Sequence, residues 1–531
     1  MYKVYQKIIL ACLLLVMTGT VYSQRVTQTI NDGWKFSLFE GDASTADFDI
    51  SGWTDVSIPH TWNAKDADDE IPGYFRGKGW YRKVVTVEEL IPEQRVYLSF
   101  EGANQETNVF VNGTFVGNHK GGYSAFTFDV TDYVHAGRNL IAVSVDNSHH
   151  PDIAPLSADF TFFGGIYRDV YLVYTSPVQL STTHYASSGV YLKASKITDL
   201  QANISVKTFL SNALKSNQSL ILETEILDAD GNRVALSQKK VNVKAEEKNV
   251  AFESLMTITQ PKRWDVDSPY IYKVYSRLKN KKEEVLDCVV NPLGIREYRF
   301  DAEKGFFLNG KYRKLIGTSR HQDYKGMGNA LRDEMHIRDV QLSKDMGSNF
   351  LRVAHYPQDP VVMQMCDKLG LLTSVEIPVV NAITQSKAFM DNCVEQVTEM
   401  VYQNYNYPSV IIWAYMNEVL LRPPFNPENR TERADYMTFL HQIASAVEAQ
   451  IRSLDSERYT MLPCHSTSQI YQEAGIAELP MLLGFNLYNG WYGGSLSGFE
   501  EKLEELHREF PHKPLLITEY GADVDTRIHS F

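Results

Sequence analysis

Beyond its N-terminal segment, the 531-residue chain has no uncharged apolar run approaching the roughly 18 to 20 residues that a membrane-crossing helix needs, so no span is expected. Basic charge is also short: 52 Lys and Arg against 65 Asp and Glu leave a formal net charge of −13. Nucleic acid and anionic membranes both require a basic footprint, so neither is expected as the main partner, and a neutral substrate suits this balance better than a polyanion. Cysteine is sparse, and none of Cys288, Cys366, Cys393 and Cys464 stands in CxxC spacing, which excludes a zinc ribbon or a redox motif. Scattered among apolar neighbours, these four read as buried thiols, with a disulfide left open. There is no GxSxG elbow, HExxH helix, phosphate-binding loop or zinc-ligand cluster, so hydrolases built on those devices lack support.

The N-terminus reads as a secretory signal peptide. Lys3 and Lys7 precede an apolar run from Ile8 to Met17, and small residues follow up to Ser23. Export across the inner membrane to the periplasm is therefore expected. Ile9-Leu10-Ala11-Cys12 resembles a lipoprotein acylation site, but the run between Lys7 and Cys12 is short, and a lipid anchor is the lesser reading.

At about 150 residues per domain the length suits three or four domains. Residues 24–180 alternate short Val, Phe, Tyr and Thr-rich runs with Gly, Asn and Asp turns, an all-β pattern, and Asn112-Gly113 reads as a hairpin turn. Residues 181–298 remain β in character, with a turn at Ala229-Asp230-Gly231, and suit an immunoglobulin-like β-sandwich. From 299 to 531 short apolar strands alternate with amphipathic helices, the rhythm of a parallel α/β domain. Strands are predicted near 313–320, 349–355, 371–377, 410–417, 459–465, 482–488 and 515–520, with helices over Glu334–Met346 and Asp391–Tyr405. Seven strands are one short of a (β/α)8 TIM barrel, so the domain reads as truncated after strand seven.

In a parallel barrel the reactive groups lie at the C-terminal strand ends. Val410-Ile411-Ile412-Trp413-Ala414-Tyr415-Met416 delivers Asn417-Glu418, and Leu515-Leu516-Ile517-Thr518 delivers Glu519. One glutamate at a strand end could equally be a structural ion pair. Two of them, each behind an apolar strand and one beside an Asn, fit the paired carboxylates of glycoside cleavage. Glu418 must then keep its proton to act as general acid/base, its pKa raised by burial and a neighbouring anion, while Glu519 must be ionised to act as nucleophile. Arg352, at the end of strand two, is placed to hold that charge.

These motifs resemble glycoside hydrolase family 2. The resemblance rests on Asn406-Tyr407-Pro408-Ser409 leading to Asn417-Glu418, on Thr518-Glu519-Tyr520-Gly521, on Arg320-His321 and on His355-Tyr356-Pro357. The front of the chain, with Pro59-His60-Thr61-Trp62-Asn63, Gly79-Trp80-Tyr81-Arg82 and Ser157-Ala158-Asp159-Phe160, is most similar to bacterial β-galactosidases. The family implies a β jelly-roll sandwich, an immunoglobulin-like sandwich and a catalytic barrel. It also implies a retaining exo-β-glycosidase, here removing terminal non-reducing β-D-galactose through a covalent glycosyl-enzyme.

By the same resemblance Asn417 would bond the sugar 2-hydroxyl, and Asp159, His321 and His355 would bind other hydroxyls. Tyr488 would touch the nucleophile. Trp491 is a candidate for stacking on a sugar face, with core packing the other reading. No cofactor is expected: the magnesium site of some β-galactosidases starts from a Glu matched by Glu376, but Pro378 stands where its His should be. Ser319-Arg320-His321-Gln322 departs from the usual Asn-Arg-His-Glu, a change expected to alter hydrogen bonding at the pocket floor. The partner is a β-linked glycan, and homo-oligomerisation stays open. The alternatives are a β-glucuronidase of the same family, whose uronate-binding Asn and Lys would fall after Phe531, and a non-catalytic carbohydrate-binding fragment.

Overall fold

The computed structural model describes residues 25–522 except Glu70, Leu90 and Pro92; the predicted signal peptide and the Cys12 site lie outside the described residues. Two antiparallel sheets face each other in the first part of the chain. One is ordered Val26–Thr29, Val170–Thr175, Arg95–Phe100, Phe126–Asp129, and the other has six strands centred on Lys78–Val87 and Gly137–Asp146. Strand periodicity explains the core between them. In Glu106–Val111 every second side chain, Thr107, Val109 and Val111, is buried, and Val109 and Val111 join Trp34, Tyr81, Leu98, Phe100 and Val143 inside. Asn112 and Gly113 take φ of +52° and +80° in the predicted hairpin, the left-handed pair that a tight two-residue turn demands.

A second sandwich follows. Gln201–Asn212 pairs with Val178–Leu180, Val190–Ser195 and Val250–Thr259, while Gln218–Leu227 pairs with Arg233–Val243 and Tyr272–Lys279. Ile204, Val206, Leu222 and Val274 fill the space between the two sheets. Gly231, at φ +85°, makes the predicted turn.

The remaining chain forms a parallel sheet of seven strands: β1 (Gly317–Arg320), β2 (Phe350–Val353), β3 (Leu372–Glu376), β4 (Val410–Ala414), β5 (Tyr459–His465), β6 (Leu482–Asn486) and β7 (Leu515–Glu519), in that spatial order. Helices α1 (Asp333–Asp345), α2 (Pro360–Leu369), α3 (Lys387–Asn404), α4 (Arg430–Leu454), α5 (Gln469–Glu473) and α6 (Gly498–Glu509) connect them. The arrangement is a TIM barrel that includes seven parallel strands among the described residues. β3, β4 and β6 are buried along their whole length, as strands covered on both faces must be. The outer strands β1 and β7 are less buried, and Ser319 Oγ on β1 donates to the Thr518 carbonyl on β7 at 3.3 Å. A short hairpin, Tyr298–Asp301 with Gly305–Leu308, closes the barrel floor by packing Phe306 and Leu308 on Leu372, Ile412 and Met461.

Helix ends follow their capping residues. α3 begins at Lys387, ahead of the predicted Asp391, because Ser386 accepts the Phe389 amide at 3.0 Å and fixes the first turn. α2 starts behind Asp359, whose carboxylate accepts the Val361 amide, with Pro360 in the first turn where no amide is missed. It stops at Gly370, φ +71°, where a Cβ would meet the Val266 carbonyl at 2.4 Å.

The first sandwich is fastened to the barrel. Gln403 on α3 accepts the Ala125 amide and donates to the Ala125 carbonyl, and His119 lies 2.9 Å from Glu399. Arg168 is buried at this seam, donating to the carbonyls of Tyr123 and Pro357 and to Gln322 Oε1 at 2.9, 2.8 and 3.0 Å. Gln322 therefore turns to the first domain. It does not line the pocket, so the Gln substitution acts at the domain seam, in contrast to the expectation of a changed pocket floor.

Candidate active site

Glu418 and Glu519 line one cavity of about 1470 Å³ that runs from the C-terminal ends of the barrel strands down between β1 and β7 to the hairpin at the floor. β4 ends at Ala414, short of the predicted 417, and the following residues are carried by backbone bonds to neighbouring strands. The Asn417 amide donates to the Val379 carbonyl and the Glu418 amide to the Pro463 carbonyl, both at 2.9 Å. Glu418 sits at φ +48°, a left-handed conformation that costs a non-glycine residue free energy and is held only by this surrounding framework.

The two carboxyls occupy opposite electrostatic settings. Burial raises the pKa of Glu418, and the charge of Glu519 adds to that, against the opposing effect of an Asn486 hydrogen bond. For Glu519 burial pushes the same way, but it is outweighed by Arg352, His355 and the Tyr488 hydroxyl, and the pKa falls below the usual range. Arg352 Nη1 donates to Glu519 Oε1 at 2.5 Å, and the Tyr488 hydroxyl donates to Oε2 at 2.7 Å. Burial and the adjacent anion in turn raise the pKa of Tyr488. One carboxyl shifted toward its protonated form beside one shifted toward its ionised form is the combination that acid-assisted nucleophilic displacement uses.

The other predicted residues separate into those that converge and those that do not. Asn417 is 4% exposed, and its Oδ1 accepts from Arg352 Nη2 at 2.9 Å and Asn486 Nδ2 at 3.2 Å. His355 Nε2 is 3.5 Å from Glu519 Oε1. His321 faces the same cavity with Nδ1 2.9 Å from the Tyr356 hydroxyl, and burial with the neighbouring His355 pulls its pKa down to about 3, so it is a neutral donor or acceptor. Asp159 comes from the first domain to the cavity rim, where its Oδ1 is 3.2 Å from Arg422 Nη2. Trp491 does not join them. It is 44% exposed, outside the cavity lining and outside the core, and Tyr492 lines the cavity in its place.

Several contributors were not given these roles from the sequence. Asn486, the last residue of β6, donates to Glu418 Oε1 at 2.9 Å; its place at a strand end was the available signal, two residues ahead of the Tyr488 that was chosen. Phe160 brings an aromatic ring from the first domain to within 5.3 Å of the His321 ring and 6.0 Å of the His355 ring. Glu376, 1% exposed, lies 3.1 Å from Arg352 Nη2. Among the described residues no three His, Cys, Asp or Glu side chains are gathered to hold a metal, and Glu376 is taken up by Arg352. The four described cysteines are free, with Cys366, Cys393 and Cys464 buried and Cys288 partly so.

Comparison with known proteins places this geometry in a family. Residues 301–528 match the TIM barrel domain of the glycosyl hydrolases family 2, residues 27–177 its sugar binding domain, and residues 188–296 a further glycosyl hydrolases family 2 model. A β-glucuronidase from Bacteroides fragilis is 34% identical over 96% of this chain and 70% of its own length. A crystal structure of a Bacteroides uniformis β-glucuronidase has a TM-score of 0.91 at 40% identity, covering 96% of this chain and 60% of that one. The β-galactosidase BoGH2A from Bacteroides ovatus is 27% identical over 96% of this chain and 61% of its own length. The chain thus spans about three fifths of the length of two of these relatives. With all three domains matched and the two carboxyls at the strand ends where the chemistry needs them, the chain belongs to glycoside hydrolase family 2.

Proposed function

We propose that the protein is a retaining exo-β-glycosidase whose primary substrates are β-glucuronides. The observation that carries the chemistry is the divided environment of the two carboxyls: Glu418 shifted toward its protonated form, Glu519 held ionised by Arg352. In the first half-reaction a Glu519 oxygen attacks the anomeric carbon while the bond to the aglycone oxygen breaks, and Glu418 gives that oxygen its proton. In the second half Glu418 takes a proton from water, the water oxygen bonds to the anomeric carbon, and the electron pair of the ester bond returns to Glu519. Asn417, buried and fixed by Arg352, is placed to bond the 2-hydroxyl. Neutral His321, together with His355 and Asp159, would orient the rest of the sugar.

The choice of sugar departs from the galactose expected above. Two β-glucuronidases match 96% of this chain at 34% and 40% identity, whereas two β-galactosidases match at 27% identity over 96% of it and at 34% over only 74%. Arg422, beside Asp159 at the rim and ion-paired among the described residues with that exposed carboxylate alone, also offers a cation that a uronate carboxylate can share. Galactosides remain the second reading, supported by the first-domain motifs around Asp159.

A panel of nitrophenyl β-glycosides tests the assignment. Turnover of the glucuronide above the galactoside is the expected result, and the reverse order reinstates galactose. Saturable sugar binding with no turnover of any member would instead favour a carbohydrate-binding role. The reading places the protein outside the inner membrane, in the periplasm, on the strength of the N-terminal segment. Among the described residues no helix is long and apolar enough to cross a membrane.

A further inference from the structure

We propose that Glu376 is a positioning residue that stays behind as the counter-ion of Arg352 when Glu519 becomes an ester, and so governs how long the covalent intermediate lasts. The inference rests on the retaining reading above.

Arg352 is a buried cation, its side chain 3% exposed, held between two carboxylates. Its Nη1 donates to Glu519 Oε1 at 2.5 Å. Its Nη2 donates to Glu376 Oε2 at 3.2 Å and to Asn417 Oδ1 at 2.9 Å. A charge in such a place is tolerated only while it is paired, and removing one partner of a buried pair is far more costly than removing both. Catalysis does remove one. When the Glu519 oxygen bonds to the anomeric carbon, the aglycone oxygen departs with the proton of Glu418, and the carboxylate that faced Arg352 becomes a neutral ester.

Glu376 is built to take over. It is the last residue of β3, 1% exposed, on a strand buried from end to end, so it cannot swing into solvent. It does not line the cavity, so it acts on the sugar only through Arg352. Its Oε1 receives no hydrogen bond, although Arg352 Nη2 is 3.1 Å away and His355 Nδ1 is 3.3 Å away. That free acceptor can take a straighter bond from Arg352 as Glu519 turns away. His355 also spans the two carboxylates, with Nε2 3.5 Å from Glu519 Oε1.

The charge balance predicts a divided effect. In Glu376→Gln the free enzyme still pairs Arg352 with Glu519, but the intermediate leaves the arginine without an anion. Formation of the intermediate should slow and its hydrolysis, which restores the Glu519 carboxylate, should quicken. A merely structural role would not speed the second step.

The test uses a 2-deoxy-2-fluoro glycosyl fluoride of the sugar that the wild type turns over best, with inactivation, reactivation and peptide mass spectrometry followed on the full chain. A wild-type adduct on Glu519 must form first; its absence sinks the retaining reading itself. With the adduct formed, Glu376→Gln is expected to inactivate more slowly and reactivate on the order of tenfold faster. Glu376→Asp, which keeps the charge one methylene further back, should reactivate faster than wild type by a smaller factor. Reactivation of Glu376→Gln at or below the wild-type rate overturns the proposal. Should that variant not fold, Glu376→Asp decides, and reactivation no faster than wild type overturns it.

Discussion

Asn486 Nδ2 donates to Glu418 Oε1 at 2.9 Å, a bond that favours the ionised form of the very carboxyl that burial shifts toward protonation. Glu418, the proposed acid/base, is thus subject to two opposed effects, with burial the larger.

Removing that donor gives a signed prediction. In Asn486→Leu the carboxylate of Glu418 loses stabilisation, its pKa rises, and the alkaline limb of kcat/KM should move up by about one pH unit. A pH-rate profile checks this. An unmoved or lowered alkaline limb would show that Asn486 does not set the proton affinity of Glu418.

The proposed nucleophile gives a simpler expectation. Glu519→Gln keeps the shape of the side chain but removes the charge that Arg352 and Tyr488 hold, and turnover should fall by at least about a thousandfold. Glu418→Ala should retain turnover of substrates with good leaving groups and regain rate with added azide, which needs no proton removed. Full hydrolysis by the Gln variant would remove Glu519 from the mechanism.

How far these residues were legible follows from distance along the chain. β4 and β7 could be read because each is a short apolar run that leads to a carboxylate, four residues past the end of β4 and at the end of β7, and both Glu418 and Glu519 lie in the cavity. Arg352 could be read for the same reason. Asn486 and Glu376 end strands too, but their roles depend on partners 68 and 24 residues away. Such pairings have no local signature. Gln322 was placed in the pocket, whereas its oxygen meets Arg168, 154 residues earlier, because the sandwich supplies a buried cation there. Trp491 was singled out for its residue type alone, and its ring lies outside both the cavity lining and the core.

Acid stability should depend on Asp455. Burial alone would raise its pKa, but Arg458 and the Trp413 indole hold it down to about 2. A depressed carboxyl stabilises the fold above its unfolded value near 3.8 and loses that contribution as pH falls toward 2. Asp455→Ala, which leaves Arg458 buried without its anion, should cost about 3 to 5 kcal/mol in denaturant unfolding at neutral pH. A loss below about 1 kcal/mol would argue against the pair.

The opposite sign is expected at Glu101. Burial and the nearby Asp359 and Asp169 raise it to about 8, so its ionisation opposes folding: stability is fullest below about 4.5 and declines as pH rises toward 8. Glu101→Gln should therefore raise the Tm at pH 8 in buffer stripped of divalent cations and leave it nearly unchanged at pH 5. Thermal scans at both values check this, and a lower Tm at pH 8 would reverse the assignment.

Phe160 stands beside the two pocket histidines, and the Tyr123 ring stacks on Tyr356 at 4.2 Å. Part of the wall against which a sugar would rest is thus supplied by a domain whose strands form a separate sandwich. Substrate preference need not travel with the barrel. A chimera that kept this barrel and exchanged its sandwich for a relative's would inherit the donor's wall, and its selectivity among sugars should shift while its two carboxyls stayed the same.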